Sequence, residues 1–141
     1  MVWVLVTGED VAFFQDALHV LRPTGFEVVA APEGATALQL LVDSPHHMVV
    51  LLRRHMGQMD VADFLCAVAD DDALRWNHVC ILVDRHPDDL PVDVERSLDE
   101  LGAPVVETPV GASDIDGWAD LLDAISLAVR SLPSERGAAT S

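Results

Sequence analysis

A charged side chain stands directly after the most apolar segment of the sequence. Residues 48–52 are aliphatic or methionine side chains, and Arg53 follows them at once. A run this short and apolar is typical of a central strand that is covered on both faces. Ligands and chemistry collect in the crevice beyond the carboxyl ends of parallel strands, so Arg53 is predicted to lie in a functional position. Its permanently charged, planar fork of donors suits it to bind carboxylates or another anionic group.

The apolar pattern predicts five strands alternating with five helices. The strands are predicted at residues 3–6, 26–30, 48–52, 78–83 and 104–107. Connections long enough to hold a helix imply parallel strands joined by right-handed crossovers. The predicted fold class is α/β, a doubly wound, five-stranded parallel sheet of the flavodoxin-like kind in three α/β/α layers. Residues 1–132 are predicted to form one domain, and the polar tail 133–141 is expected to be disordered.

Helix boundaries are marked by capping residues. Asp10 and Asp60 are predicted N-caps, Gly102 is a predicted helix end, and Ser113 with Asp116 is predicted to open the last helix. Asp70 to Asp72 are expected to form a solvated helix end. The first helix is expected to bury Val11, Phe14, Leu18 and Leu21. The last helix is expected to bury Ile115, Trp118, Leu122, Ile125, Val129 and Leu132.

The charge balance excludes several classes of partner. The chain carries 24 acidic and 8 basic residues, for a net charge of −16. Such a surface repels phosphate backbones and anionic lipid, so we expect neither nucleic-acid nor membrane binding. No apolar run approaches the roughly 20 residues of a membrane-spanning helix, and a soluble, cytoplasmic protein is expected.

Cofactor and catalytic motifs are not found in the sequence. Cys66 and Cys80 lie in apolar segments and are expected to be buried free thiols. The histidines match no metal-ligand spacing, and there is neither a glycine-rich phosphate loop nor a G-x-S-x-G motif. We therefore expect no metal, no cofactor and no enzymatic activity.

The central segment MVVLLRRHMGQMD resembles the third strand and following loop of the response-regulator receiver domain, where a run such as LVLLDLMMPGMDG carries the phosphate-accepting aspartate. The residues that match are Leu51, Leu52, Met56, Met59 and Asp60. The resemblance spans about residues 2–130, and the 44 positions from Glu9 to Arg53 and the 30 from Arg53 to Val83 match the family's intervals. An unrelated acidic protein of flavodoxin-like fold is the alternative.

The resemblance implies a degenerate phosphorylation pocket. Arg53 stands in place of the acceptor aspartate, and the acidic pair that holds Mg²⁺ aligns with Gly8 and Glu9, beside Asp10. The family's Thr or Ser, lysine and aromatic residue align with Val83, Thr108 and Val105, and the proline after the lysine is kept as Pro109. The resemblance also implies a cis peptide before that proline. Without an acceptor carboxylate the chain cannot form the family's acyl phosphate.

Arg53 is expected to take the place of the metal. Carboxylates facing a pocket without a cation would repel each other, and a guanidinium could bond Glu9 or Asp10 and lock the pocket in one state. The alternative is that Arg53 points to solvent.

The resulting hypothesis is a stand-alone, atypical pseudo-receiver that signals by contacts with a protein partner or a second copy. The family often dimerises through the face made by the fourth helix, fifth strand and fifth helix. Here that face is assigned to Arg96, Trp118, Leu127 and Arg130, with Leu127 apolar in the middle of a polar stripe. The alternative function is a sensor that holds a small anionic ligand in the former phosphorylation crevice.

Overall fold

The computed structural model describes residues 2–133 and confirms the predicted fold class. The main sheet has five parallel strands: β1 (Trp3–Thr7), β2 (Glu27–Ala31), β3 (Met48–Leu52), β6 (Val79–Asp84) and β7 (Val105–Glu107). Their order is β2-β1-β3-β6-β7, which is the order of flavodoxin-like sheets. The helices are α1 (Val11–Leu21), α2 (Gly34–Asp43), α3 (Val61–Ala69), α4 (Asp72–Asn77), α5 (Val92–Leu101) and α6 (Ile115–Ser131). A 3₁₀ turn, Arg22–Thr24, follows α1.

The apolar run after residue 47 forms the central strand, as predicted. All residues of β3 are buried, because β1 and β6 pair with its two edges and helices cover both of its faces. One face packs on α2, α3 and α5 and the other on α1 and α6. The end of this strand therefore lies between two neighbouring strand ends, which fixes the position of Arg53.

Capping residues begin and end the helices largely as predicted. Asp10 and Asp60 accept hydrogen bonds from the backbone N–H groups of Phe13 and Asp63, both at 3.0 Å. Gly102 ends α5 in the left-handed conformation, with φ of 66°. The cap of the last helix is Asp114, one residue from the expected Ser113, and it accepts a bond from Gly117 N–H.

The segment 53–78 contains more structure than predicted. Two-residue strands β4 (His55–Met56) and β5 (Met59–Asp60) form a small hairpin between β3 and α3. The acidic run does not merely end α3, because Asp71 caps the additional helix α4 by accepting bonds from Ala73 and Leu74 N–H. Aspartate is among the strongest N-cap residues, so the run that looked like a solvated terminus starts a helix.

The buried faces of the first and last helices are rotated from the predicted stripes. In α1 the buried residues are Phe13, Ala17 and Leu21, and Val11 is 65% exposed. In α6 the buried residues are Trp118, Leu121, Ile125 and Ala128, and Ile115 is 79% exposed. Both helices carry neighbouring apolar residues on more than one line, so tertiary packing selects the line that faces the sheet.

The two cysteines have different environments. Cys80 is buried in β6, and burial raises the pKa of its thiol to about 12. The expectation that Cys66 is buried is wrong, because it is exposed, with its Sγ 3.9 Å from the hydroxyl oxygen of Ser97 in α5. Both are free thiols. Within residues 2–133 no helix is long and apolar enough to cross a membrane.

Candidate functional site

The carboxyl ends of β1, β3 and β6 enclose a crevice of about 370 Å³. Its lining combines three arginines and two histidines with three carboxylates: Glu9, Asp10, Arg53, Arg54, His55, Asp84, Arg85 and His86. The prediction that Arg53 and the acidic pair share one edge of the sheet is therefore correct. Glu9 itself is exposed, and Asp10 is the carboxylate that approaches Arg53.

Arg53 points into the protein and not to solvent. Its side chain is only 12% exposed, and its Nη2 lies 3.7 Å from Oδ2 of Asp10. That distance makes an ion pair but is too long for the expected hydrogen bond. The guanidinium carbon lies 4.4 Å from the centroid of the Phe13 ring, a cation–π contact. Burial lowers the pKa of Arg53, and the nearby Asp10 carboxylate opposes that shift.

One donor of the Arg53 guanidinium has no hydrogen-bond partner. Its Nη1 is buried and unpaired, although buried polar groups are normally satisfied. The position thus combines a desolvated charge, a long ion pair and a free donor. Arg53 therefore places its positive charge beside Asp10, while its Nη1 donor has no hydrogen-bond partner.

Gly8 and Thr7 make room for Arg53 and hold its backbone. Gly8 has a φ of 100°, and a Cβ atom there would lie 3.0 Å from Cγ and 3.1 Å from Cβ of Arg53. The Thr7 hydroxyl donates to the Leu51 carbonyl at 3.0 Å and accepts from Arg53 N–H at 3.3 Å. The stem of Arg53 therefore packs against the turn after β1, at a site that favours glycine.

The best-formed ion pair of the crevice was not predicted. Arg54 Nε and Nη2 donate to Oδ1 and Oδ2 of Asp84 at 3.1 and 2.8 Å, a bidentate pair. Arg54 Nη2 also donates to the Asp89 carbonyl, and the His86 N–H donates to Asp84. The Asp84 side chain is only 8% exposed. The available signal was that Asp84 ends β6 and Arg54 follows the end of β3, and these two strands are neighbours in a flavodoxin-like order.

Residues 83 and 108–109 lie beside the crevice without forming a phosphate site. Val83 is fully buried in β6. The Thr108 N–H donates to the Asp84 carbonyl at 2.9 Å, while its hydroxyl oxygen is buried without a partner. The predicted cis peptide before Pro109 is wrong, because no peptide bond within residues 2–133 is cis. Trans is the intrinsically preferred isomer, and the N–H of Val110 after this proline donates to the Asp114 carboxylate.

The four residues assigned to an interface are not all on the surface. Arg96, Leu127 and Arg130 are exposed, with Leu127 exposed to 62%. Trp118 is only 3% exposed and stacks on Phe13 with ring centroids 5.9 Å apart. Its indole N–H donates to the Gly111 carbonyl. The assignment of Trp118 to a surface is therefore wrong, because this side chain lies on the core-facing line of α6.

The crevice does not fit the divalent cation that a receiver domain holds there. Asp10 already caps α1 and faces the Arg53 guanidinium, so a cation beside it would meet positive charge. Arg53 also leaves no carboxylate at the end of β3. Among residues 2–133, no group of three or more His, Cys, Asp or Glu side chains is arranged to hold a metal ion.

Comparison with known proteins finds solved structures that share one fold. No protein-family profile matches the sequence, and no curated protein matches it. Among solved structures, the signal receiver domain of an HD domain-containing protein from Pseudomonas fluorescens is 19% identical, with 92% of this chain and 94% of that chain covered and a TM-score of 0.71.

Two further structures have the same fold. A CheY-like response regulator receiver domain protein from Methanospirillum hungatei is 19% identical over 89% of this chain and 91% of that chain, with a TM-score of 0.69. The signal receiver domain of a histidine kinase from Syntrophus aciditrophicus is 21% identical over 89% and 91%, with a TM-score of 0.68. At these identities the likeness establishes the receiver fold alone.

Proposed function

We propose that this protein is an atypical receiver domain that works in signal transduction through protein contacts and not through phosphoryl transfer. The observation that carries the proposal is Arg53 at the end of the central strand, turned inward beside Asp10. A guanidinium cannot be the nucleophile of an acyl phosphate. On this view the chain is not an enzyme and needs no cofactor.

Asp84 and Asp10, the two carboxylates of the crevice that make ion pairs, are not placed to replace the missing acceptor. Asp84 ends a neighbouring strand, but both of its oxygens are held by Arg54 and one also accepts from His86 N–H. Asp10 is engaged as a helix cap. Thr108 stands where a lysine would balance phosphoryl charge. These contacts support a pocket with one stable arrangement and not a pocket that switches on modification.

If the pocket does not change its arrangement on modification, the signal is transmitted by contacts on the protein surface. The face made by α5, β7 and α6 presents Leu127, exposed to 62%, with Arg96 and Arg130 among exposed carboxylates. Apolar centres with a charged rim are typical of protein interfaces. A homodimer or a protein partner on this face is the proposed output.

A second function is favoured by one observation in the same crevice. The buried Nη1 of Arg53 has no partner, and Arg54, Arg85 and His86 line the same space. A small anionic ligand could accept a hydrogen bond from that free donor. The three carboxylates of the crevice oppose this, which is why the ligand-sensor function is the second candidate.

Intact mass spectrometry after incubation with Mg²⁺ and acetyl phosphate tests the leading proposal. The wild type is expected to gain no phosphoryl group, and beryllofluoride is expected to leave its backbone amide NMR spectrum unchanged. The matched variant Arg53→Asp places a carboxylate at the same position. It shows whether the surrounding pocket can support phosphorylation of that carboxylate. A phosphorylated wild-type chain would refute the proposal.

The second candidate is tested by titrating inorganic phosphate and pyrophosphate into isotope-labelled protein and recording its NMR spectrum. Ligand binding in the crevice should shift the Arg53 side-chain and His86 backbone signals, and Arg53→Met should abolish the response. A response confined to exposed arginines such as Arg22 would exclude the crevice as the site.

A further inference from the structure

A second cleft lies between α1 and the start of α6, with a volume of about 620 Å³. Its floor is apolar, formed by Ala12, Phe13, Pro109 and Gly117. Its walls carry five carboxylates against the one guanidinium of Arg85: Asp10, Asp16, Glu107, Asp114 and Asp120. This volume falls within the range of about 300 to 1,000 Å³ that is usual for binding pockets.

One large aliphatic side chain is exposed where it lines this cleft. Val110 lines the cleft and is 87% exposed. Single exposed aliphatic residues are common on protein surfaces. This side chain stands on the short connection between β7 and α6, beside the apolar floor, and it gives the cleft apolar contact area as well as charge.

Of the five carboxylates, Asp10 forms ion pairs with Arg53 at 3.7 Å and with Arg85 at 4.0 Å, whereas the other four form none among the residues that the structure describes. Hydrogen bonds from the Val110 and Gly117 N–H groups lower the pKa of Asp114, so its carboxylate stays negative. Arg85 is 73% exposed and approaches Asp10 only to 4.0 Å.

From these observations we propose that the cleft between α1 and α6 binds a cationic, amphipathic segment of a partner protein. Aliphatic side chains of that segment contact the floor together with Val110, and its lysine or arginine side chains face Asp16 and Asp120. The inference is independent of the proposed function, since it holds whether or not the position of Arg53 can be phosphorylated.

Charge complementarity decides the kind of occupant. A second copy of this chain would bring a net charge of −16, with only 8 basic residues, against walls that are already negative. Nucleic acid would be repelled for the same reason. A basic segment gains attraction from the walls and burial of its apolar face from the floor.

The probe for this proposal is a designed leucine–lysine peptide that forms an amphipathic helix. Two control peptides are a scrambled sequence of the same composition and a version with glutamate in place of lysine. Backbone NMR shifts caused by the amphipathic peptide are expected at Ala12, Asp16, Val110 and Gly117. Shifts spread evenly over the acidic surface, or equal binding of the scrambled peptide, would overturn the proposal.

Matched charge variants measure the contribution of the walls. Asp16→Asn with Asp120→Asn is expected to weaken peptide binding about fivefold or more, since each exposed ion pair contributes up to about fivefold. Asp70→Asn with Asp99→Asn removes the same charge from the opposite side of the sheet and should weaken binding less than about twofold. Equal losses in the two double variants would show diffuse attraction and overturn the proposal. Self-association that Asp16→Asn abolishes would also overturn it, by making a second copy the occupant.

Discussion

Arg53 and Arg54 are neighbours in sequence, yet their guanidinium groups are held in different ways. Arg54 makes two short, parallel hydrogen bonds to Asp84, whereas Arg53 makes one ion pair of 3.7 Å and leaves a donor unpaired. Bidentate pairs are the strongest of the arginine–carboxylate contacts. Arg54 therefore contributes to stability through its charge, while Arg53 contributes mainly through packing on Phe13 and Gly8.

Replacing Arg54 should destabilise the fold more than replacing an exposed arginine of the same crevice. Arg54→Ala leaves the Asp84 carboxylate buried without its cation, and the free energy of unfolding should fall by about 1 to 3 kcal/mol. Arg85→Ala is the matched control, because Arg85 is 73% exposed and should cost less than about 0.5 kcal/mol. Urea unfolding curves measure both changes, and equal effects would contradict the structural role of Arg54.

The charge of Arg53 is predicted to be dispensable for stability. Arg53→Met keeps an unbranched stem beside Gly8 and removes a desolvated charge, so the free energy of unfolding should change by less than about 1 kcal/mol. Arg53→Ala also removes the stem and should lose about 1 to 3 kcal/mol. The comparison uses the same denaturant assay. If methionine costs as much as alanine, the ion pair to Asp10 and not the packing is what matters.

At the scale of elements, the strands were predictable and the helix faces were less so. The run after residue 47 has no polar interruption, so a fully buried central strand was the one arrangement that fits it. In α6, Ile115 and Leu122 lie on the predicted line, but the sheet accepts the line of Leu121 and Ala128. Periodicity shows that one face is apolar, and only packing against Phe13 and the sheet selects among adjacent lines.

The candidate site was predictable in its residues and less so in its bonds. The meeting of Arg53 with Asp10 follows from the order of the strands, which the sequence pattern implies. The Arg54–Asp84 pair depends on the direction of the Arg54 side chain in the loop after β3, which no periodicity encodes. The prediction of a cis peptide before Pro109 was wrong, and it too had no basis in the residues of this sequence, since it came from resemblance alone.

His78 joins three elements and makes their packing sensitive to pH. Its Nδ1 accepts from Met48 N–H at 3.1 Å and its Nε2 donates to the Leu41 carbonyl at 3.0 Å, which links β3, α2 and the end of α4. Only the neutral ring can accept at Nδ1. Burial lowers the pKa of His78, and nearby His47 adds to that direction.

Stability is therefore predicted to fall in mild acid because of His78. The unfolded chain takes up a proton below its ordinary pKa of 6.5, while the folded chain resists protonation until its lowered pKa. The stabilising contribution is present above 6.5 and is lost as pH falls, by at most about 2 kcal/mol at pH 5. His78→Gln should flatten this dependence in urea unfolding at several pH values. The exposed His19→Gln variant should keep the wild-type slope, and an equal slope in both variants would exclude His78 as the cause.

At the scale of the whole molecule, the acidic surface limits how copies can meet. A net charge of −16 makes random association unfavourable, so a dimer needs a face where arginines stand opposite carboxylates. Arg96 and Asp99 are both exposed on α5, and Asp123 and Arg130 are both exposed on α6. A twofold axis would pair each arginine with a carboxylate of the other copy and bring the two Leu127 side chains to the centre.

Leu127 is thus predicted to govern self-association on the face of α5, β7 and α6. Leu127→Asp places a seventeenth net negative charge at the proposed centre and should shift the monomer–dimer equilibrium toward monomer by about tenfold or more, because it exchanges apolar burial for like-charge repulsion. Val42→Asp adds the same charge at an apolar side chain of α2 that is 58% exposed, and it should leave the equilibrium within about twofold. Light scattering at several protein concentrations and physiological salt, where the general repulsion between copies is screened, gives both constants. A wild type that stays monomeric throughout would remove the homodimer and leave a foreign protein as the occupant of this face.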